Sequence, residues 1–178
     1  MSYKILQNKK QFQGHAFDVA EITVELPNGK VRDYDLIEHG NSVTILPVDE
    51  LGRIYFVIQH RIGSGNELRE LPAGVMEAGE TPLECAEREI REETGKAAKN
   101  MRRLGGFYLA PGYTDEFMTA FLATGLYDAP LDPDADEFIN TVTLSIEETY
   151  HEVFAGDFND GKTLATLLLA EPFLHQKT

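Results

Sequence analysis

The chain has no tryptophan and one cysteine in 178 residues. Without tryptophan, any ring that stacks on a ligand must come from its 7 tyrosines and 10 phenylalanines. Cys85 alone cannot close an internal disulfide, which fits a reducing compartment. Basic residues are scarce: 16 Lys and Arg stand against 30 Asp and Glu, for a formal net charge of −14. Such a surface repels phosphate backbones and argues against nucleic acid as a partner, although bound cations can reverse the sign locally for a small phosphorylated ligand. Long apolar runs are also missing. The opening MSYKILQNKKQFQGHAF has no signal-like core, and TLATLLLAEPFL is too short and interrupted to cross a bilayer. The five histidines lack the paired spacing of a metal site. The expectation is a soluble, cytoplasmic protein with no membrane partner. At 42% hydrophobic and 26% charged residues, it is long enough for one domain, or one domain with a small appendage, around a real core.

No repeat or low-complexity linker divides the chain. Residues 16–26 alternate in two runs that are out of step, which predicts a strand with a bulge near Ala20–Glu21. Asn28-Gly29 predicts a type I′ hairpin turn, with Val31 to Ile37 as the returning strand. SVTILPV (42–48) and IYFVIQH (54–60) read as two further strands, followed by a polar loop over 61–66 and a glycine-punctuated loop, ELPAGVMEAGE. Thr81 as N-cap, Pro82 at the first position, Glu84 completing a capping box and Gly95 just past the end predict the clearest helix. Strands are expected again at GGFYLA, FMTAFLAT and FINTVTLS. Ser145 and Glu148 open a second helix that Gly156 ends, and Asp160 caps a third over 162–174, with Pro172 interrupting its last turns. Strands mixed with a few helices indicate an α+β or α/β sandwich.

At 100° per residue, Leu83, Ala86 and Ile90 form the apolar stripe of the first helix, with Cys85 away from it. Glu89, Glu92 and Glu93 occupy the neighbouring arc. Three carboxylates at i, i+3 and i+4 repel one another unless something positive lies among them, and hard divalent cations prefer such oxygen clusters. A solvated acidic face, paired Arg88 with Glu92 and Arg91 with Glu87, is the plainer alternative.

The loop before the helix changes that weighing. Gly74-x5-Glu80-x7-Arg88-Glu89-Ile90-Arg91-Glu92-Glu93-x-Gly95 resembles the Nudix box, Gx5Ex7REUxEExGU, at all seven fixed polar and glycine positions. Only the final bulky aliphatic position departs, being Lys96. The resemblance implies an α/β fold, specifically an α/β/α sandwich around a mixed sheet with a small N-terminal antiparallel β-sheet. It implies a hydrolase of nucleoside diphosphates linked to another moiety, with Mg²⁺ or Mn²⁺ held by Glu89, Glu92 and Glu93. Cations there neutralise the pyrophosphate that a water nucleophile must approach. Arg88 joins the catalytic set, bracing loop and helix with Glu80 rather than touching substrate.

Flanking residues resemble the ADP-ribose pyrophosphatases of that family: Gln59-His60-Arg61, then Glu70-Leu71-Pro72-Ala73-Gly74, then Phe107-Tyr108-Leu109-Ala110-Pro111-Gly112-x3-Glu116, and Asp160-Gly161-Lys162-Thr163 in the tail. The resemblance implies a homodimer, with residues 1–40 as an N-terminal β-hairpin dimerisation region and 41–178 as the hydrolase domain. It also implies a metal-binding backbone carbonyl at Ala73 and substrate contacts at Arg61, Glu70 and Glu116, with Arg61 reaching phosphate or a partner subunit and Glu116 the distal ribose or the metal shell. The general base in such enzymes often comes from an acidic loop before a late strand. Here that is Leu131–Phe138, with Glu137 the first candidate, Asp134 and Asp136 behind it, and Glu92 as the alternative within the box. Arg69 stands where relatives often place an aromatic or large apolar residue before ELPAG, leaving Phe17, Tyr34 or another ring to recognise the base. The expected substrate is ADP-ribose or a related nucleoside diphosphate sugar. GDP-mannose is the rival substrate, and a ligand sensor without turnover is the rival class.

Overall fold

The computed structural model describes residues 2–132 and 139–174. The chain divides into two units, Met1–Asn41 with Tyr108–Phe117, and Ser42–Phe107 with Met118–Thr178.

The first unit is a three-stranded antiparallel sheet in the order β1 (Lys4–Gln13), β2 (Asp18–Glu25), β3 (Val31–Glu38). No sequence pattern predicts β1. Its ten residues are all exposed, so burial imposes no alternation on them and pairing with β2 alone marks them as a strand. The bulge expected in β2 is absent: Ala20, Ile22 and Val24 alternate regularly into a small core with Leu26 and Leu36. The irregularities fall in β1 instead, between Ile5 and Gln7 and between Lys10 and Phe12. The β2–β3 turn also differs from a type I′ turn. Gly29 N–H donates to Leu26 O, Leu26 N–H donates to Lys30 O, and only Gly29, at φ 78°, has positive φ. Pro27 fixes the φ that suits the first central position of a type I turn, and Gly29 takes the left-handed residue that follows. The segment 108–117 joins this unit through Ile37 N–H to Tyr113 O at 2.8 Å and Asp115 N–H to Ile37 O at 3.2 Å.

The second unit is built on a mixed sheet ordered β10-β5-β4-β9-β8, comprising β4 (Ser42–Val48), β5 (Arg53–Arg61), β8 (Lys96–Tyr108), β9 (Phe117–Asp128) and β10 (Asn140–Ser145). Two short strands lie off this path: β6 (Asn66–Glu70) pairs with β5, and β7 (Ala73–Val75) with β4. β7 falls where the sequence reads as loop, and β6 spans the stretch between the two predicted loops. β4 runs parallel to β9 and antiparallel to β5 and β7.

Every residue of β4 is buried, so the strand is covered on both faces, and its alternation sorts the core. Val43 and Ile45 pack with Cys85, Ala86 and Ile90 of α1 (Pro82–Thr94) and with Phe121 and Ala123 of β9. Leu46 and Val48 pack with Phe56, Leu122, Phe158 and Leu167, the last on α3 (Gly161–Leu174). α2 (Ile146–Ala155) adds Ile146 and Val153 to this second cluster. Helices cover both faces of a mixed sheet, the expected α/β/α sandwich. Each fully buried aliphatic side chain contributes about 1.5–3 kcal/mol by leaving water.

Both predicted capping boxes form, Thr81 with Glu84 and Ser145 with Glu148, and Gly95 and Gly156 end their helices at φ 71° and 85°. α1 turns a different stripe inward from the one expected. Leu83 is 42% exposed, while Cys85, Ala86, Glu89, Ile90 and Glu93 are buried. Two of the three clustered glutamates therefore lie on the buried face.

Candidate active site

A cleft of about 410 Å³ opens between α1 and the loop that leads to it, lined by Arg61, Ala73, Gly74, Arg88, Glu89 and Glu92 among others. The capping box fixes where α1 begins, and the burial of Ile90 and Ala86 sets which way the glutamates face.

Arg88 holds the helix side together. Its Nε and Nη2 donate to the two oxygens of Glu80 at 2.9 and 3.0 Å, and Nη1 donates to Glu89 at 2.6 Å and Glu92 at 2.9 Å. Nη2 also reaches Val75 O at 3.2 Å. One guanidinium thus supplies the positive charge that the carboxylate cluster needs, and it links box loop to helix as a positioning group. Hydrogen bonding from Arg88 lowers the Glu80 carboxyl to about 2, with the Glu77 N–H assisting. The guanidinium itself is raised, first by Glu80 and then by Glu89 and Glu92. Arg91 does not pair with Glu87; its Nε donates to Ala129 O at 2.9 Å.

The loop side also meets the helix at Ala73 and Gly74. Ala73 N–H donates to Glu93 Oε2 at 2.9 Å. At Gly74 a Cβ would stand 1.7 Å from Glu89 Oε1, so this glycine is required by the carboxylate lying against it. Cys85 is fully buried beneath, 3.9 Å from Gly74 O, and burial pushes its thiol up to about 12, which leaves it no nucleophilic role.

Arg61 and Glu70 are together at the cleft's edge. Glu70 is 1% exposed and accepts from Arg61 Nε at 2.9 Å and Nη2 at 2.7 Å, a bidentate pair. Lys162 donates to the same carboxylate. Burial opposes the charge on Glu70, but Arg61 and Lys162 outweigh it and keep the carboxyl below its ordinary range. Glu70 thus aims Arg61, the group that lines the cleft. Sequence reasoning placed Lys162 only as a motif position; its bond to Glu70 joins residues 92 apart, and no periodicity signals it.

Glu116 belongs to the first unit, 3.7 Å from His39 Nδ1. Glu137, with Asp134 and Asp136, lies outside the described residues. Arg69 replaces the aromatic residue expected before ELPAG, and it pairs with Glu152 while its guanidinium lies 4.5 Å over the ring of Phe158. It serves the core side of the sheet, not a base-stacking surface. Phe17 and Tyr34 are 42% and 48% exposed.

Among the described residues no three acidic, histidine or cysteine side chains stand ready-made as a metal cage. Glu89 and Glu92 are turned onto Arg88, and Glu93 onto the Ala73 amide. Their donor chemistry nonetheless fits a hard divalent cation: three carboxylates on one helix side, facing a loop that needs a glycine to admit one of them. Glu89, Glu92 and Glu93 are the side chains that would hold it, with the Ala73 carbonyl on the loop side.

The model of the NUDIX domain matches residues 38–167. An ADP-ribose pyrophosphatase of Bacillus subtilis (strain 168) is 35% identical over 162 residues, 90% of this chain and 88% of that protein. A methanol dehydrogenase activator of Bacillus methanolicus is 30% identical over 97% of this chain and 96% of its own length. The crystal structure of an ADP compounds hydrolase superposes with a TM-score of 0.87 at 24% identity, covering 98% of this chain and 95% of that one, a likeness of fold.

Proposed function

The chain belongs to the Nudix family, and from that premise we propose that it hydrolyses ADP-ribose, or a closely related nucleoside diphosphate sugar, to a nucleoside monophosphate and a sugar phosphate. The observation that carries this reading is the closed fit of Gly74 against Glu89 and of Ala73 N–H on Glu93, which brings the box glutamates and the ELPAG backbone to one cleft with Arg61 at its edge. A pyrophosphate brings negative charge into this acidic cleft. Arg61, held by Glu70, is the cationic side chain of this chain that meets it, and Arg88 keeps Glu89 and Glu92 from repelling one another. When bound, Mg²⁺ or Mn²⁺ supplies charge neutralisation and orients an in-line displacement. Glu137 is the proposed general base, with Glu92 the alternative inside the box. We propose further that the protein works as a homodimer through its first unit, where Ile5, Phe12 and Tyr34 are 67%, 59% and 48% exposed and would be covered by a second copy.

Hydrolysis of a nucleotide-sugar panel with Mg²⁺, Mn²⁺ or EDTA, with products resolved, tests the reading, and sedimentation of the same preparation tests the dimer. AMP release that needs metal, with ADP-ribose clearly ahead, is the expected result. GDP-mannose in the lead keeps the chemistry and changes the substrate. Metal uptake without turnover on any compound replaces the hydrolase with a ligand sensor. A monomer in sedimentation removes the dimer.

A further inference from the structure

The segment from Glu70, the last residue of β6, to Ala73, the first of β7, is pinned at four consecutive residues. The Glu70 carboxylate accepts from Arg61 and Lys162, and Leu71 N–H donates to Thr163 Oγ1 at 2.9 Å. Pro72 O accepts from Ile45 N–H at 2.8 Å, and Ala73 N–H donates to Glu93 at 2.9 Å. Two of the four anchors come from the first turn of α3, a helix outside the Nudix box. Asp160 organises that turn: its Oδ2 accepts from Thr163 N–H at 3.0 Å, Thr163 Oγ1–H at 2.6 Å and Lys162 Nζ at 3.0 Å. Thr163 Oγ1 therefore donates to Asp160 and accepts from Leu71, which fixes its hydroxyl direction. Lys162, Thr163 and Glu70 are all buried, at 8%, 0% and 1% exposed. Charged and hydroxyl groups this deep are retained at a cost unless each bond is made, and here the bonds end on the active-site loop.

We propose that Lys162 and Thr163 are positioning residues for the reaction. Lys162 acts through Glu70 on the aim of Arg61, and Thr163 acts through Leu71 N–H on the placement of the Ala73 backbone that faces Glu93. The inference rests on the hydrolase reading above, and the two residues divide the labour. Losing Lys162 leaves Glu70 buried against Arg61 alone and loosens a phosphate contact. Losing the Thr163 hydroxyl leaves Leu71 N–H without an acceptor and frees the backbone beside the carboxylates.

The test compares Lys162→Met with Lys162→Arg, and Thr163→Val with Thr163→Ser, in the full-length protein. Two readouts are taken: Mn²⁺ affinity by calorimetry without substrate, and kcat and KM separately on the best compound of the panel. Thr163→Val is expected to weaken Mn²⁺ binding about tenfold, in the range seen when groups behind metal ligands are lost, and Thr163→Ser to restore it. Lys162→Met is expected to raise KM about tenfold with a smaller change in kcat, and Lys162→Arg to recover most of it. Variants that melt earlier but keep Mn²⁺ affinity, kcat and KM within about twofold of the parent, well short of the expected tenfold, overturn the proposal, since a purely structural clamp would do that. If Thr163→Val does not fold, Asp160→Asn, which keeps a hydrogen-bonding oxygen, and Lys162→Met decide by the same readouts. A parent protein that binds Mn²⁺ but turns over nothing sinks the hydrolase reading, and the Thr163 pair is then judged on metal affinity. A parent that binds no Mn²⁺ sinks both.

Discussion

The helix Pro82–Thr94 and the segment Glu70–Val75, from the end of β6 through β7, touch across one cleft but are held in different ways. The helix's ends and its Arg88 cluster are stitched by neighbours in sequence, although Arg91 also reaches Ala129 O across 38 residues. Thr81 and Glu84 cap each other three residues apart, Arg88 reaches Glu92 four residues on and Glu80 eight residues back, and Gly95 closes the end. The loop is stitched from a distance, with Leu71 and Glu70 each bonded to α3 across 92 residues and Ala73 to Glu93 across 20. Contacts this local close short loops at little entropic cost. Contacts that span 92 residues close long ones, so the cleft depends on the integrity of the whole sandwich.

The sharpest way to break this comparison is at the point where the two elements meet. Gly74→Ala brings a Cβ to 1.7 Å from Glu89 Oε1, and the movable atoms there are the end of a flexible side chain. The carboxylate swings aside and the backbone stays. Activity is expected to fall about a hundredfold, the scale of a misplacement near 1 Å, while the melting temperature barely shifts. A large loss of stability with intact turnover in the folded fraction would mean that the loop, not the carboxylate, gives way.

A second test isolates the helix's own stitching through pH. Arg88 lowers the Glu80 carboxyl from 4.5 to about 2, so its stabilising contribution is whole above about pH 4.5 and is lost as pH falls toward about 2. Glu80→Gln, which cannot titrate, should be less stable than the parent at neutral pH, and the gap should narrow in acid. Urea midpoints from pH 7 down to 3 measure it, and a gap that stays constant would show that the Glu80–Arg88 pair is not an acid-sensitive link. The smallest effect is expected at the cap. Thr81→Ala should cost about 1 kcal/mol of stability and leave kcat and KM unchanged, because the lost bonds are internal to the helix end. A change in KM there would mean that the cap also aims the glutamates.

The same contrast explains what the sequence made legible. Caps, strand starts and the three-glutamate spacing are local patterns, and residues 80–95 display them within a few positions of one another. Hydrophobicity alone awards the inner face of α1 to Leu83, which is 42% exposed. In the folded chain Glu89 and Glu93 take that side, at 8% and 6% exposed, since Arg88 and the Ala73 amide satisfy them there. β1 escaped notice for the reverse reason: a strand exposed along all ten residues carries no alternation to read. Arg69 read as a missing aromatic and turned out to stack on Phe158. The bond between Glu70 and Lys162 could not be found from spacing, because nothing in a periodicity of two or 3.6 connects positions so far apart.

The four anchored residues of the loop have a further consequence, in conformational entropy. Ordering a residue's backbone costs about 1–2 kcal/mol, and a loop left to settle around its ligand would draw that sum from every binding event. With Glu70, Leu71, Pro72 and Ala73 already fixed by Lys162, Thr163, Ile45 and Glu93, the ordering is completed once, when the protein folds. The contacts a substrate then makes are left to affinity and to the geometry of attack.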